Sequence, residues 1–189
     1  FDALDRLIEN DGYLDVFAQC LGTDDVSYCN AHLFMRSGPT DKLHPKHPWQ
    51  GYHPDHRSNT FLPLSHAVGS FDYVNSAVYL HHVDDECAPM HVIPGSHRQA
   101  AGIFLQLGGL VRSHRRISDI REIPEFAEPV PTSAKAGSAL FYSSYLIHAA
   151  IPFENKCKQR AFWTLSLARG DTSRWTKLAN PSSGPQQQF

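Results

Sequence analysis

From Val26 onward, the chain is built from short stretches whose apolar and polar side chains alternate with a period of two residues, and this pattern restricts the fold more than any other property. The longest stretch runs from Phe71 to Val83. Because successive side chains of a strand point to opposite faces, such alternation predicts β-strands. Further strands are predicted at Val26 to Met35, Met90 to Ile93, Gly137 to Tyr142, Tyr145 to Ala149 and Arg160 to Ala168.

Two helices are predicted ahead of these strands. Apolar residues recur at helical spacing over residues 1–8 and again over 14–21, and Gly22 is a stop signal for the second helix. Strands do not alternate with helices along the chain, which disfavours Rossmann and TIM-barrel architectures. The pattern instead predicts a mainly β sandwich or barrel with helices packed outside it.

Length and composition limit the class of protein. The 189 residues fit one domain, 1–189, with a polar tail at 180–189, and the net charge of −2 argues against a nucleic-acid-binding surface. No apolar run is long enough for a membrane-spanning helix or a signal peptide, so no membrane partner is expected. The four cysteines form no CxxC pair, and we interpret them as reduced thiols of a cytoplasmic protein. Because the chain begins with Phe1, its native N-terminal segment is expected to be missing.

Two His-x-Asp tripeptides are present, His53-Pro54-Asp55 and His82-Val83-Asp84. On a strand this spacing places an imidazole and a carboxylate on one side, which suits two of the three ligands of a non-haem Fe(II) site. With 12 histidines and 13 aspartates among 189 residues, chance alone gives about one His-x-Asp tripeptide. The tripeptide alone is therefore weak evidence for a metal site, and other residues of the sequence must show which tripeptide, if either, binds a metal.

A third histidine and an arginine are such residues. His148 lies in a predicted strand, and Arg160 opens the next strand 12 residues later, on one face with Phe162, Thr164 and Ser166. A lone arginine in an apolar strand needs an anionic partner, because an unpaired buried charge is costly. Its planar guanidinium suits a carboxylate, which it can bind with two parallel hydrogen bonds.

Three segments together resemble the phytanoyl-CoA dioxygenase family of Fe(II)/2-oxoglutarate-dependent oxygenases. They are Tyr52-His53-Pro54-Asp55, the turn Val92-Ile93-Pro94-Gly95-Ser96-His97-Arg98, and His148 to Arg160 including Asn155. In this family the metal motif precedes the Pro-Gly-Ser-His turn by a few tens of residues. His53 lies 41 residues before Pro94 and His82 only 12, so the order favours His53 and Asp55.

The resemblance implies a double-stranded β-helix, the jelly-roll barrel of cupins. It also implies that His53, Asp55 and His148 bind Fe(II) and that Arg160 binds the C5 carboxylate of 2-oxoglutarate, with ascorbate as an accessory reductant. The implied reaction oxidises a small organic substrate and releases succinate and CO₂. Related halogenases carry Gly or Ala at the position of Asp55, so the carboxylate points to hydroxylation or another oxygenation.

Co-substrate contacts beyond Arg160 are less defined. The family often has Ser two residues after the distal histidine, where this chain has Ala150, so Thr164 or a tyrosine is expected to substitute. Asn75 and Tyr79 share a strand face that is expected to line the barrel, and each is a candidate for contacting the co-substrate, although a hydrogen bond within the core explains them equally well.

The substrate cannot be read from the sequence, apart from one basic cluster. Loops at 37–50 and 99–128 are expected to cover the barrel mouth, and the second contains Arg112, His114, Arg115, Arg116 and Arg121. This cluster is either a solvated surface or a lid that favours an anionic substrate. His44, His47, His56 and His66 are interpreted as loop or surface residues.

Two other functions remain open at this point. One is a cupin-type metal dioxygenase or isomerase that works without 2-oxoglutarate, and the other is a non-catalytic jelly-roll binding module. Arg160 argues against the first alternative, because such an enzyme needs no carboxylate anchor. Iron binding separates the non-catalytic module from both enzymes, and succinate production separates the two enzymes.

Overall fold

A computed structural model of the chain describes residues 2–37, 52, 55, 73–98, 126–151 and 158–170. These residues form two helices, a short 3₁₀ turn and seven strands. The helices are α1 (Asp2–Ile8) and α2 (Asp11–Leu21), and the 3₁₀ turn is Asp85–Cys87. The strands are β1 (Val26–Ser37), β2 (Tyr73–Tyr79), β3 (Met90–Val92), β4 (Val130–Pro131), β5 (Ala139–Ser143), β6 (His148–Ala150) and β7 (Gln159–Arg169).

The strands form two antiparallel sheets. The major sheet has the order β1-β7-β2-β5, and the minor sheet has the order β4-β3-β6. The long strand β7 is central to the major sheet, with Arg36 of β1 opposite Arg160 on one side and Tyr79 of β2 opposite Phe162 on the other. Because β7 pairs along its whole length, its side chains alternate strictly between the two faces of the sheet.

The predicted mainly β, jelly-roll class with flanking N-terminal helices is confirmed. The described strands form two separate sheets, however, and not a closed barrel. The predicted strand from Tyr145 to Ala149 was wrong at its start, because a turn closed by a 2.9 Å hydrogen bond from Leu146 N to Ser143 O occupies that position. β4 was not predicted, since two residues are too few to show a period.

Helix α2 packs on the outer face of the major sheet. Asn10 caps its N-terminus by accepting a hydrogen bond from Tyr13 N, and Gly22 ends it in the left-handed conformation, with φ of 67°. Tyr13, Phe17 and Leu21 form its buried stripe. The core that they build also contains Val74, Val78, Trp163, Leu165 and Leu167. The apolar stripe of helix α2 thus packs against the apolar face of strands β2 and β7, and this contact defines the outer face of the major sheet.

The opposite face of the major sheet is polar although it is buried. Arg160, Thr164 and Ser166 of β7 lie on this inner face, together with Asn75 of β2, and all four side chains are buried. Burial of polar groups is unfavourable unless they find partners. A sheet with one apolar face and one buried polar face therefore points to a binding function on the polar side.

Two expectations about the whole chain can be compared with the described residues. Among them, no helix is long and apolar enough to cross a membrane. Of the three described cysteines, Cys20 is exposed, Cys29 is half-buried and Cys87 is buried, and no disulfide joins them. Burial raises the pKa of the Cys29 thiol to about 12. The fourth cysteine, Cys157, lies outside the described residues.

Candidate active site

His148 opens strand β6 and is nearly buried, with 6% of its surface exposed. Its Nδ1 lies 2.9 Å from the carbonyl oxygen of Leu146. A carbonyl can only accept, so Nδ1 carries a hydrogen and donates it, and Nε2 is the nitrogen left to bind a metal. Nε2 lies 3.5 Å from Oδ1 of Asp55. The ring is thus held in the tautomer that a metal ligand requires.

The Pro-Gly-Ser turn fixes the backbone just ahead of His148. Ile147 N donates a 2.9 Å hydrogen bond to Oγ of the fully buried Ser96, and Ile93 N donates to Ile147 O at the same distance. Gly95 has φ of 76°, which a residue with a side chain rarely adopts, so glycine suits this turn. The turn motif therefore has a structural role in positioning strand β6.

Asp55 is held by a chain of hydrogen bonds from the major sheet. Asn75 Nδ2 donates to Asp55 Oδ2 at 2.7 Å, and Ser166 Oγ donates to Asn75 Oδ1 at 2.6 Å. The carboxylate accepts only, which fixes the orientation of the Asn75 amide. With Oδ2 held in this way, Oδ1 is the oxygen directed towards His148.

The third predicted ligand, His53, lies outside the described residues. Among those described, no group of three His, Cys, Asp or Glu side chains comes together. Two atoms bound to one metal at about 2.0–2.2 Å lie about 3 Å apart, close to the 3.5 Å between His148 Nε2 and Asp55 Oδ1. One imidazole and one carboxylate in this arrangement fit two corners of a non-haem iron site.

The other His-x-Asp tripeptide has a different environment. Val83 is fully buried and pairs with Ala134, and His82 before it is exposed. Asp84 accepts a hydrogen bond from Glu86 N, which caps the 3₁₀ turn, and lies 3.1 Å from Lys158 Nζ. Its carboxylate is therefore used in a surface cap and an ion pair.

Arg160 is buried, with 2% of its surface exposed. Nη1 donates to the carbonyl oxygen of Ala88, and the guanidinium carbon lies 5.3 Å from the centre of the Phe162 ring. Among the described residues, none accepts a hydrogen bond from Nε and no carboxylate forms an ion pair with this side chain. Burial, followed by the charge of Arg36, lowers the pKa of Arg160 to about 10. A buried cation with an unused donor fits an anionic ligand.

The other predicted co-substrate contacts have partners within the protein. Tyr79 Oη lies 2.7 Å from Thr132 Oγ1 and 2.9 Å from the carbonyl oxygen of the same residue, and burial raises the pKa of this tyrosine. Thr132 Oγ1 donates to Met90 O, so the Tyr79 hydroxyl is the donor in its contact with Thr132. Thr164 Oγ1 donates to His32 O at 3.2 Å. The amide of Asn75 contacts Asp55 and Ser166, as described above.

Several contributing residues were not singled out by sequence reasoning. Ser166 was placed on the face of Arg160 without a role, and Tyr142, whose ring lies 5.3 Å from that of His148 in an edge contact, was not considered. Ala88 contributes only its backbone carbonyl. The signal that could have identified Ser166 is its strand face, which it shares with Arg160 and Thr164, and the structure pairs it with Asn75.

Some predicted features lie outside the described residues. These are His44, His47, His56 and His66, the basic cluster Arg112, His114, Arg115, Arg116 and Arg121, the mouth loops and Asn155. Tyr52, next to His53, is described, and its Oη lies 3.5 Å from His91 Nδ1 on β3. The residues on either side of His53–Pro54 thus contact β3 and β2.

The chain was also compared with known proteins. The family model for phytanoyl-CoA dioxygenase (PhyH) matches residues 2–161. A search of curated proteins gave no significant match. The matched range extends over most of the chain and includes Asp55, His148 and Arg160, whereas Phe162, Thr164 and Ser166 lie just beyond its end.

Solved structures share the fold at low sequence identity. The α-ketoglutarate-dependent epimerase SnoN from nogalamycin biosynthesis has a TM-score of 0.59 and 14% identity, over 88% of this chain and 56% of that protein. EctD from S. alaskensis, with 2-oxoglutarate and 5-hydroxyectoine, has a TM-score of 0.57 and 20% identity, over 87% of this chain and 51% of that protein. HygX from Streptomyces hygroscopicus, with nickel and 2-oxoglutarate, has a TM-score of 0.60 and 13% identity, over 90% of this chain and 69% of that protein. The chain thus spans about half to two thirds of these proteins.

Proposed function

Because this chain belongs to the phytanoyl-CoA dioxygenase (PhyH) family, a family of Fe(II)/2-oxoglutarate-dependent oxygenases, we propose that it oxidises a small organic molecule and converts 2-oxoglutarate to succinate and CO₂. The observation that carries the proposal is that the chain contains both a pair of metal ligands and a buried arginine that can bind an anion. Asp55 and His148 present an oxygen and a nitrogen 3.5 Å apart, and the buried guanidinium of Arg160 has a donor, Nε, without a partner in the part of the chain that the structure describes.

We propose His53, Asp55 and His148 as the iron ligands. The distance between Asp55 and His148 supports these two residues as ligands. His53 is supported by the His-x-Asp motif that it shares with Asp55. Each described ligand has an outer partner: the Leu146 carbonyl for His148 and the Asn75 amide for Asp55. Such outer contacts orient ligands and raise metal affinity.

Arg160 is proposed to bind the C5 carboxylate of 2-oxoglutarate. A carboxylate would pair with the guanidinium and satisfy the unpartnered Nε, and the charge-assisted hydrogen bonds would offset the cost of burial. The structures of EctD and HygX, which contain 2-oxoglutarate, support this choice of co-substrate. Tyr79 and Thr164 lie on the same sheet face and are proposed to shape the space around it.

Bound Fe(II) would supply oxygen activation coupled to decarboxylation of 2-oxoglutarate. The protein's own residues hold the metal ligands in place, exclude water from the site and orient the co-substrate. The carboxylate of Asp55, as the one proposed ligand that is not a histidine, favours hydroxylation or another oxygenation. An anionic substrate, held by the cluster from Arg112 to Arg121, is a further proposal that rests on the sequence alone.

The test begins with metal binding to the purified chain without oxygen. Mn(II) serves as a redox-stable substitute for Fe(II), because the same ligand types suit both ions. We expect one Mn(II) site in the wild type, loss of that site in Asp55→Ala and an unchanged site in Asp84→Ala. The two variants remove the same side chain from the two His-x-Asp tripeptides, so each is the control for the other. Equal binding by both variants would contradict the ligand assignment.

The second step adds Fe(II), 2-oxoglutarate and oxygen, and measures succinate. Many candidate substrates can be screened in one assay, since succinate is the common product. Metal binding without succinate formation from any substrate would favour a metal enzyme that does not use 2-oxoglutarate. Absence of a metal site in the wild type would favour a non-catalytic binding module and overturn the proposal.

A further inference from the structure

A second arginine lies beside Arg160 on the inner face of the major sheet. Arg36 of β1 and Arg160 of β7 are direct partners in the antiparallel register. Directly opposed residues of two antiparallel strands project their side chains to the same face. Arg36 is partly buried, and no ion pair links it to any of the residues that the structure describes.

Two like charges placed opposite each other destabilise a sheet. The electrostatic effect is present here, because the charge of Arg36 contributes to the lowered pKa of Arg160. Burial also lowers the pKa of Arg36 itself. Within the described part of the chain, no carboxylate offsets this repulsion. The arrangement is unfavourable in the free protein and becomes favourable when an anion lies between the two guanidinium groups.

The residues that could otherwise complete an anion site lack a free hydroxyl. Ala150, two residues after His148, has no hydroxyl. The hydroxyl of Tyr79 donates to Thr132, and that of Thr164 donates to His32 O. Arg36 can supply, from the neighbouring strand β1, the donors that these three positions do not provide.

We propose that Arg36 and Arg160 together form a two-arginine clamp for the distal carboxylate of 2-oxoglutarate. This inference rests on the proposed function and adds a second co-substrate-binding residue to it. Arg160 is bound to the Ala88 carbonyl and is fixed in place. Arg36, which is less buried, supplies a charge from the neighbouring strand.

The experiment measures binding of two oxoacids to the Mn(II)-loaded chain by calorimetry. 2-Oxoglutarate has the distal carboxylate, and 2-oxovalerate has the same chain length without it. The variants are Arg36→Gln, Arg160→Gln and, as a matched control on the exposed surface of α1, Arg6→Gln. We expect Arg36→Gln to weaken 2-oxoglutarate binding about tenfold, which is about 1.4 kcal/mol, and to leave 2-oxovalerate binding unchanged.

Stability of the free protein provides a second readout. Removing one of two opposed like charges should leave the Tm of the metal-free, ligand-free protein unchanged or higher in Arg36→Gln. A purely structural role for Arg36 predicts the opposite, a lower Tm and equal losses for both oxoacids, and this result would overturn the clamp.

The outcomes separate the clamp from the proposed function. One outcome is that the wild type binds 2-oxoglutarate and that Arg160→Gln weakens this binding while Arg36→Gln does not. In that case the clamp is wrong and the proposed function stands. If the wild type binds 2-oxoglutarate no better than 2-oxovalerate, the proposed function itself fails. A selective loss in both arginine variants, with none in Arg6→Gln, supports the clamp.

Discussion

Asn75 donates a 2.7 Å hydrogen bond from Nδ2 to Oδ2 of Asp55 and thereby links the central part of the major sheet to the candidate metal site. Its other amide atom, Oδ1, accepts from Ser166 Oγ at 2.6 Å. Both Asn75 and Ser166 are buried, so water does not compete for these bonds. The relay leaves Asp55 Oδ1 facing His148 and favours binding of the metal through one carboxylate oxygen.

The first prediction is that Asn75→Ala weakens metal binding without abolishing it. Loss of the amide frees the Asp55 carboxylate to rotate, and such outer-contact changes typically cost 10- to 100-fold in metal affinity. We expect a loss of about this size in an Mn(II) titration. Asn75→Asp should be worse, because it places a second carboxylate against Asp55.

The control for Asn75 is its neighbour on the same strand, Ser76. Ser76 faces the helices, where its Oγ accepts a 2.7 Å hydrogen bond from Tyr13 Oη. Ser76→Ala also removes a buried hydrogen bond from β2, and it should lower Tm while metal affinity stays at the wild-type value. If Ser76→Ala weakens metal binding as much as Asn75→Ala, the effect of Asn75 is one of general strand stability.

The second prediction concerns the shape of the group at position 160. Arg160→Lys keeps a positive charge but loses the planar group that binds a carboxylate at two points and contacts Ala88 and Phe162. We expect a large rise in the dissociation constant for 2-oxoglutarate with Mn(II) affinity unchanged. Loss of a buried charge-assisted pair costs about 2–5 kcal/mol, or tens- to thousands-fold in affinity. Unchanged co-substrate affinity would place the anchor elsewhere.

The sequence predicted the elements that have a clear period. The strand with Arg160, Phe162, Thr164 and Ser166 on one face was predicted correctly from alternation alone, and it is β7. The two helices were also predicted, because an apolar stripe and the stop at Gly22 are local signals. Alternation also predicted that Asn75 and Tyr79 lie on one face.

Long-range partners could not be predicted in this way. Nothing local pairs Asn75 with Asp55, 20 residues earlier, or with Ser166, 91 residues later. These contacts follow from the register between β2 and β7 and from the position of Asp55 against the sheet. The register between β1 and β7 likewise sets Arg36 opposite Arg160, a pairing that a single sequence does not reveal.

The third prediction is that Ser96→Ala destabilises the fold near His148. The substitution leaves the buried Ile147 N–H without its acceptor, and an unsatisfied buried donor costs about 1–3 kcal/mol. A matched control is Ser133→Ala, since Ser133 is exposed and its Oγ bonds to Asp85 at 3.0 Å. We expect a fall in Tm for Ser96→Ala only, measured by thermal unfolding. Equal Tm values would contradict the structural role of the turn.

The fourth prediction concerns the pH dependence of stability. Hydrogen bonds from Cys87 and Lys158 hold the pKa of Asp84 below its usual value of 3.8. A carboxyl with a lower pKa in the folded state stabilises the protein above its unfolded pKa, and this stabilisation is lost as the pH falls through the folded value. Asp84→Asn should therefore lower Tm slightly at pH 7, and the difference from wild type should vanish at the acid end. The effect is small because the group is exposed and screened by salt. A Tm difference that stays constant from pH 7 into the acid range would show that the loss in Asp84→Asn does not come from the charge.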